Sequence, residues 1–386
     1  MSFQYNQLVP VLFGDGVINQ LGEKVRELGC KKIMCVYDGG VKAAGIAPKA
    51  EESLRRAGVE FVVFDKITAD PTDAQVNECG AMALAAGVDG FVAVGGGSSM
   101  DCTKAAALLM NHPGPIEQYF TGPPSFLECA VPVVLVPTTS GSGSEVTQVC
   151  VITQSSDHSK PSIFMHSTLA IIDPELTLTV PSTVTAITGL DAFTHASEAI
   201  TANGRNPRSE LMAASSIQKI TKYLPISVAD GANLDARREL SLASNWAGIA
   251  FADTDVHLGH NLADGISVTF HTPHGLNCIW VNPELMKSCA LTVPEKVKVV
   301  GESVGAVFTG NETPEEIGEK TAAATRALMK ACGLKSPKEM GLSRDEFINC
   351  YKMAMEIDLG LKFNCPFEVT ADAVRGIYER TYDNYQ

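Results

Sequence analysis

Four residues in the second half of the sequence have the types and spacing of ligands for a divalent metal ion. Asp191 and His195 lie four positions apart in GLDAFTHASEA, a segment with helical character, so both side chains leave one helix face a turn apart. His260 and His274 lie in GHNLADGISVTFHTPHG, and they join the first pair if a helix and the loop after it fold back. One carboxylate and three imidazoles leave a position open for a substrate oxygen, which a catalytic metal requires. The donor set favours Fe(II) or Zn(II), since Mg²⁺ and Ca²⁺ prefer oxygen ligands alone.

Each of these histidines, taken singly, also fits a hydrogen-bonded residue in a core or at a helix end. The metal hypothesis gains weight from the first half of the chain, where the segment GVDGFVAVGGGSSMDCTKAAALLM indicates a buried strand, a glycine turn and a helix. Glycine lets backbone amides approach an anion, and the helix directs its positive end to the same point. The turn, which comprises Gly95, Gly96, Gly97 and Ser98, therefore predicts a pyrophosphate site. It matches neither GxGxxG nor GxxxxGK[ST], and a tight turn without a ligand is the alternative.

Two further segments contain candidates for binding a nucleotide. In VPVVLVPTTSGSGSEVTQ, an apolar strand is followed by a run of small hydroxyl residues that includes Thr138, Thr139 and Ser142. Such hydroxyls suit sugar and phosphate oxygens, although a solvated loop is the alternative. Asp38 ends the strand in KKIMCVYDGG, where a carboxylate can accept hydrogen bonds from an adenosine ribose and repel a 2′-phosphate. This position favours NAD over NADP, with a helix N-cap or turn aspartate as the competing interpretation.

The elements that must position these residues fall into two groups. Residues 1–180 alternate short apolar strands with helical patterns, which predicts an α/β domain with a parallel, dinucleotide-binding sheet. Residues 181–386 contain only helical patterns, such as RSELMAASSIQKITKYL, and predict an all-helical domain that holds the metal. The cofactor loops and the metal residues thus fall in different predicted domains, so we expect hydride and substrate to meet in a cleft.

Composition narrows the class of protein. The chain has 386 residues, of which 45% are hydrophobic, and this is enough for a sizeable core and two domains. No apolar run or signal-like N-terminus predicts membrane insertion or secretion. Eleven scattered cysteines without a CxxC pattern favour a reduced, cytoplasmic protein. The net charge of −14 argues against nucleic acid or an anionic membrane surface as a partner.

The motifs GGGSSMDCTKA, PTTSGSGSEVT, DPELTLTVP, TGLDAFTHASEA and HTPHG, in that order, resemble the iron-containing (group III) alcohol dehydrogenase family over nearly the whole chain. The resemblance implies an N-terminal nicotinamide-binding α/β domain, an all-α metal domain and NAD(H)-linked interconversion of an alcohol and its aldehyde or ketone. It also implies a homo-oligomer that is at least a dimer. By resemblance, Asp191, His195, His260 and His274 are metal ligands, and the cofactor-contacting positions are Asp38, Gly95, Gly96, Gly97, Ser98, Thr138, Thr139 and Ser142.

The sequence departs from the family pattern beside one expected ligand. Many members have a second histidine four residues after it, thought to shuttle the alcohol proton, where this chain has Asp264. Where a glycine is common, three residues before the ligand, this chain has His257. One interpretation is that His257, His260 and Asp264 share a helix face and form a substitute proton path. The other is that Asp264 orients a ligand imidazole.

The substrate is left open by the residues. A short aldehyde is the default expectation, and one with an anionic group, such as sulfoacetaldehyde or succinic semialdehyde, is a variant. Lys362 is a candidate partner for that anion, with a solvated surface charge as the alternative. Two other classes stay possible: a dehydroquinate-synthase-like or glycerol dehydrogenase-like enzyme with a polyol or phosphate substrate, and a non-catalytic relative.

Overall fold

The computed structural model describes residues 3, 5–120, 126–157, 159–357 and 361–385. The chain divides into two compact units: Asn6–Val180, here called the N-terminal unit, and Met1–Tyr5 with Pro181–Gln386, here called the C-terminal unit. The candidate cofactor residues lie in the first of these units and the candidate metal residues in the second. In the described part of the chain, no helix combines the length and apolar character needed to cross a membrane.

The N-terminal unit is built on a six-stranded parallel sheet, with a separate antiparallel pair of strands. The strands are β1 (Val11–Phe13), β2 (Lys32–Asp38), β3 (Glu60–Ile67), β4 (Gly90–Gly95), β5 (Val133–Pro137), β6 (Val149–Val151), β7 (Ser162–Phe164) and β8 (Leu169–Ile172). The order in the sheet is β1-β8-β5-β4-β2-β3, and the separate pair is β6 with β7. The helices are α1 (Leu21–Glu27), α2 (Gly39–Ala43), α3 (Ile46–Arg56), α4 (Asp73–Ala86) and α5 (Gly97–Leu108).

Both faces of this sheet are buried. Along β4, Phe91 and Ala93 pack into one apolar cluster, whereas Val92 and Val94 pack into another. A strand buried on both sides must be apolar at every position, which explains the continuous FVAV run. The prediction of an α/β unit with a parallel sheet is confirmed.

The strand order places a reversal point between β2 and β4. After β2, the chain adds β3 on one side and then returns to add β4 on the other side. In open parallel sheets, ligands bind outside the carboxyl ends of the strands at such a point. Asp38 ends β2 and Gly95 ends β4, so the topology brings these two predicted cofactor residues to one edge.

Among its described residues, the regular elements of the C-terminal unit are all helices, as predicted. Its long helix α6 is buried around nearly its whole circumference from Gly189 to Thr201, which is the behaviour of a central core helix. Asp191 and His195 therefore lie in the interior of the unit. The helices are α6 (Ser182–Thr201), α7 (Pro207–Ala229), α8 (Leu234–Thr254), α9 (Leu258–Phe270), α10 (His274–Ala290), α11 (Pro294–Ser303), α12 (Pro314–Ala331), α13 (Arg344–Glu356) and α14 (Ala371–Asp383).

Candidate metal centre and dinucleotide site

Three of the four predicted ligands converge in the C-terminal unit, and a cysteine joins them. Donor atoms of Asp191, His260, His274 and Cys278 all lie within 4.8 Å of one another. Helices α6 and α9 supply the first two, and α10 supplies the others, since His274 is its first residue rather than part of a loop. A Cβ at Gly275 would lie 2.8 Å from the Cβ of Asp191, so glycine allows α10 to begin this close to α6.

His195 lies beside this group rather than within it. Its ring stacks on the ring of His260 at a centroid distance of 4.6 Å and on Phe251 at 4.5 Å. Burial lowers the pKa of His195 to about 4, so the imidazole is neutral near pH 7, the form that binds a metal. The structure thus assembles three predicted ligands with Cys278 and places the fourth against one of them.

The imidazoles of His260 and His274 each contact a carboxylate as well. Glu198 accepts a hydrogen bond from His260 Nδ1 at 2.8 Å, and Asp264 Oδ1 lies 3.4 Å from His274 Nδ1. Metal-binding histidines commonly give their second nitrogen to a carboxylate, which fixes the tautomer and the ring orientation. Burial by itself would raise the pKa of Glu198, but His260, His257 and their hydrogen bonds lower it to about 2. Glu198 is therefore an ionised acceptor for His260.

The donor atoms that remain fit a divalent cation. Asp191 Oδ1 and His260 Nε2 are buried and have no hydrogen-bond partner among the described residues. Buried polar atoms without partners are rare in folded proteins, because leaving one unsatisfied costs about 1–3 kcal/mol. A cation between Asp191 and His260 would satisfy both atoms, so the residues present suit a metal.

The prediction that His257, His260 and Asp264 share one helix face is wrong for His257. Helix α9 begins at Leu258, and His257 precedes it with non-helical backbone angles (φ −138°, ψ −139°). The second oxygen of Glu198 accepts the His257 backbone N–H at 2.7 Å, just before the helix begins. The His257 ring is fully buried, and its Nε2 bonds with Thr201 Oγ1 at 2.8 Å. The contact between Asp264 and His274 favours the interpretation of Asp264 as an orienting partner.

Sequence reasoning missed Glu198 and Cys278. Glu198 follows Asp191 and His195 at positions i+7 and i+3, on the same helix face, so the spacing contained a usable signal. Cys278 lies four residues after His274, but this spacing becomes informative only when His274 is known to begin a helix.

In the N-terminal unit, the glycine turn and the hydroxyl-rich loop come together. Gly95 ends β4, Gly97 begins α5 and Ser98 follows it, so all four residues of the turn adjoin the helix start. The Thr138 N–H donates to the Gly95 carbonyl at 3.0 Å. A Cβ at Gly96 would lie 3.4 Å from Thr139 Oγ1, and one at Gly97 would lie 3.1 Å from the Ser142 side chain. The predicted cofactor segments therefore form one continuous surface at the carboxyl edge.

Asp38 combines the two interpretations considered for it. Its Oδ1 accepts the Val41 N–H at 2.9 Å and caps α2, as an N-cap aspartate does. Its Oδ2 accepts a longer hydrogen bond of 3.4 Å from Ser99 Oγ and lies 3.6 Å from the position of a Cβ on Gly95. One oxygen thus holds the local backbone, while the other faces the glycine turn.

A buried lysine, which the sequence gave no reason to select, fixes the hydroxyl-rich loop. Lys104 is fully buried on α5 and donates to the carbonyls of Ser144 at 3.1 Å and Val149 at 2.6 Å. Asp101 lies 3.3 Å from the ammonium and accepts the Ser144 hydroxyl at 2.5 Å. A buried ammonium is stable only when it is paired and hydrogen-bonded, so this cluster holds the loop against α5.

Lys362 lies in a short 3₁₀ helix, Leu361–Asn364. Its ammonium donates to the carbonyl of Met355 on α13 at 2.6 Å, and the side chain is partly exposed. One of the three N–H donors of the ammonium is therefore used by a backbone carbonyl.

Comparisons with known proteins agree with these features. Residues 9–174 match the family model described as iron-containing alcohol dehydrogenase, and residues 185–382 match that of the Fe-containing alcohol dehydrogenase family, C-terminal. The chain is 32% identical to the NAD-dependent methanol dehydrogenase of Bacillus methanolicus, over 89% of this chain and 91% of that protein. A crystal structure of 1,3-propanediol oxidoreductase superimposes with a TM-score of 0.92 at 31% identity, covering 98% of this chain and all of the other. Sulfoacetaldehyde reductase from Bifidobacterium kashiwanohense, solved with NAD⁺, gives a TM-score of 0.88 at 27% identity and 99% coverage of both chains.

Proposed function

Since the chain belongs to the iron-containing alcohol dehydrogenase family of NAD-dependent oxidoreductases, we propose that it reduces a short-chain aldehyde with NADH. The reverse reaction oxidises the corresponding alcohol. The observation that carries this proposal is the group of donor atoms from Asp191, His260 and His274. Two atoms of this group are buried and have no partner among the residues that the structure describes. We further propose that the protein acts as a homo-oligomer in the cytoplasm, where its eleven free thiols would stay reduced.

The metal, Fe(II) or Zn(II), is held by Asp191, His260 and His274, with His195 as the fourth ligand that the family resemblance implies. When bound, a divalent metal acts as a Lewis acid toward the substrate carbonyl, and NADH carries the hydride. Glu198 keeps the proton of His260 on Nδ1, so that Nε2 stays free to coordinate. Asp264 does the same for His274, and this is the role we assign to it.

The N-terminal unit supplies the cofactor site. The backbone amides of the glycine turn and the start of α5 bind the pyrophosphate, because both direct N–H groups toward one point. The Asp38 oxygen that faces Gly95 accepts a ribose hydroxyl and disfavours a 2′-phosphate. Thr138, Thr139 and Ser142 provide hydroxyls beside the turn, and Lys104 holds their loop in place.

The substrate we propose is a short aldehyde, neutral or with a single anionic group. The relatives named above act on methanol, 1,3-propanediol and sulfoacetaldehyde by their names, and this range supports a small substrate. Lys362 is our candidate for recognising an anionic group, since two of its donors are free of the Met355 carbonyl. If it does so, Lys362→Ala raises KM for sulfoacetaldehyde and leaves KM for propionaldehyde unchanged.

The test is NADH oxidation by protein that has been stripped of metal and then loaded with Fe(II) or Zn(II). The panel contains propionaldehyde, sulfoacetaldehyde and succinic semialdehyde. We expect His260→Ala and His274→Ala to lose metal and activity together, because each removes a ligand. The matched control is His112→Ala, a histidine of the other unit whose ring bonds a backbone carbonyl. Full metal occupancy in His260→Ala would contradict the ligand assignment.

The same assay separates the two other classes. Turnover restricted to phosphorylated or polyhydroxylated substrates would indicate an enzyme of the dehydroquinate-synthase or glycerol dehydrogenase type. A protein that binds metal and NADH but turns over no carbonyl compound would be a non-catalytic relative.

A further inference from the structure

Cys278 lies where the metal site of this chain would be, and the family resemblance gives it no role. Its side chain is 1% exposed, and its Sγ lies 3.4 Å from His274 Nε2. The contact is a hydrogen bond to the nitrogen that remains when Asp264 takes His274 Nδ1. The sulfur therefore lies beside the nitrogen through which His274 would bind a metal.

Two observations separate Cys278 from an ordinary buried cysteine. Cys289, on the same helix, lies in the main apolar cluster of the unit, whereas the sulfur of Cys278, which is also buried, hydrogen-bonds an imidazole nitrogen. The residues grouped with Cys278 include Asp191 and His260, whose Oδ1 and Nε2 atoms are buried and have no hydrogen-bond partner within the described part of the chain. A free cysteine that serves only as a small apolar residue packs among apolar groups instead.

Helix geometry explains why the sulfur reaches the cluster. His274 and Cys278 lie one turn apart on α10, so their side chains leave the same helix face. The donor atoms of all four residues lie within 4.8 Å of one another. Two metal–ligand bonds of about 2.0–2.3 Å span at most about 4.5 Å, so one ion can bind all four after small side-chain movements.

We propose that Cys278 coordinates the divalent ion through its sulfur, adding a thiolate to the carboxylate and imidazole ligands of the proposed function. The proposal rests on the metal site of the proposed function and deepens it. A thiolate adds a negative charge and a soft donor to the site, and soft donors favour Zn(II) over Fe(II). The sulfur therefore biases this member of the family toward zinc and weakens the polarisation of the carbonyl.

X-ray absorption spectroscopy of the full chain loaded with Zn(II) tests this directly. We expect one zinc–sulfur distance of about 2.3 Å beside shorter zinc–nitrogen and zinc–oxygen distances of about 2.0–2.2 Å. Cys278→Ser and Cys278→Ala should lose the sulfur signal. Cys332→Ser is the matched control, because Cys332 is a buried cysteine in the apolar core of the same unit and should leave the signal intact.

A second readout is the affinity of each variant for zinc and iron, measured by competition with a chelator. Loss of a ligand should raise the zinc Kd of Cys278→Ala by more than the roughly 10- to 100-fold that loss of a supporting partner costs. Iron binding should weaken less, so the preference for zinc over iron should fall. The Co(II) form of the parent protein should also show near-ultraviolet thiolate-to-cobalt absorption that Cys278→Ser lacks.

A shell of nitrogen and oxygen alone in the parent protein would overturn the role of Cys278 while leaving the metal site in place. Unchanged zinc affinity in Cys278→Ala would do the same. Failure of the parent protein to bind any divalent metal would instead remove the proposed function, so the two failures are distinguishable.

Discussion

Replacement of Glu198 by glutamine is expected to weaken metal binding while the protein stays folded. The carboxylate is fully buried and accepts two hydrogen bonds, from His260 Nδ1 at 2.8 Å and from the His257 backbone at 2.7 Å. Glutamine has nearly the same shape, but one of its two polar ends is a donor. The substitution therefore tests the hydrogen-bond pattern rather than the packing.

Glutamine can be placed in two orientations, and both are unfavourable. If its oxygen accepts the His257 N–H, its amide group faces His260 Nδ1 and drives the imidazole proton to Nε2, the nitrogen proposed to bind the metal. If the amide is reversed, its N–H group faces the His257 N–H, and the lost hydrogen bond costs about 1–3 kcal/mol. Loss of such a supporting carboxylate typically weakens metal affinity by about 10- to 100-fold, or roughly 1.4–2.7 kcal/mol.

The measurement is a metal titration against a chromophoric chelator, with thermal unfolding recorded on the same samples. The matched control is Glu284→Gln, which alters another fully buried carboxylate in the same unit. Glu284 pairs with Arg326 and, at 3.1 Å, with Arg380, away from the metal residues. We expect the control to lower the unfolding temperature and to leave the metal Kd unchanged. An unchanged Kd in a folded Glu198→Gln protein would refute the tautomer argument.

The remaining predictions concern the second imidazole, helix packing, the cofactor and alkaline stability. Asp264→Asn should lower metal affinity in the same direction as Glu198→Gln, because it acts on the His274 tautomer in the same way, and the chelator titration would detect it. Gly275→Ala should lower the unfolding free energy by about 1–3 kcal/mol and reduce metal occupancy, since its Cβ would lie 2.8 Å from both Asp191 Cβ and the Ile187 carbonyl oxygen. The control is Gly376→Ala, which should be tolerated because its Cβ would contact only the flexible end of the Arg380 side chain. Asp38→Asn keeps the cap on α2 but removes the negative charge. The ratio of kcat/KM with NADPH to kcat/KM with NADH should therefore rise by about tenfold, equivalent to about 1.4 kcal/mol of relieved repulsion. The same ratio in the variant and the parent protein would argue against a ribose contact. Burial raises the pKa of the Cys35, Cys79 and Cys150 thiols from 9.0 to about 12. Unfolded thiols therefore ionise first, and stability should fall as the pH rises from 9 to 12, with a shallower fall in a variant that has alanine at all three positions.

The sequence by itself determined the class of each half of the chain. Continuous apolar runs such as FVAV can be stable only in strands buried on both faces, and this property predicted the parallel sheet. Helical spacing after residue 180 predicted the helical unit, and the ordered motifs identified the family. Local chemistry also selected Asp191, His195, His260 and His274, because carboxylates and imidazoles are common ligands of Fe(II) and Zn(II).

Only the tertiary structure decided which side chains meet and how each is held. Helices α6, α9 and α10 are separated along the chain, so no local pattern could show that Cys278 joins the ligands or that His195 stacks beside them. The residue before α9 is bound by a carboxylate from a distant segment, since Glu198 accepts the His257 backbone N–H. Hydrogen-bond partners and burial are properties of packing between distant segments. For this reason the sequence predicted the donor types, whereas the fold selected the roles of Glu198, Asp264 and Cys278.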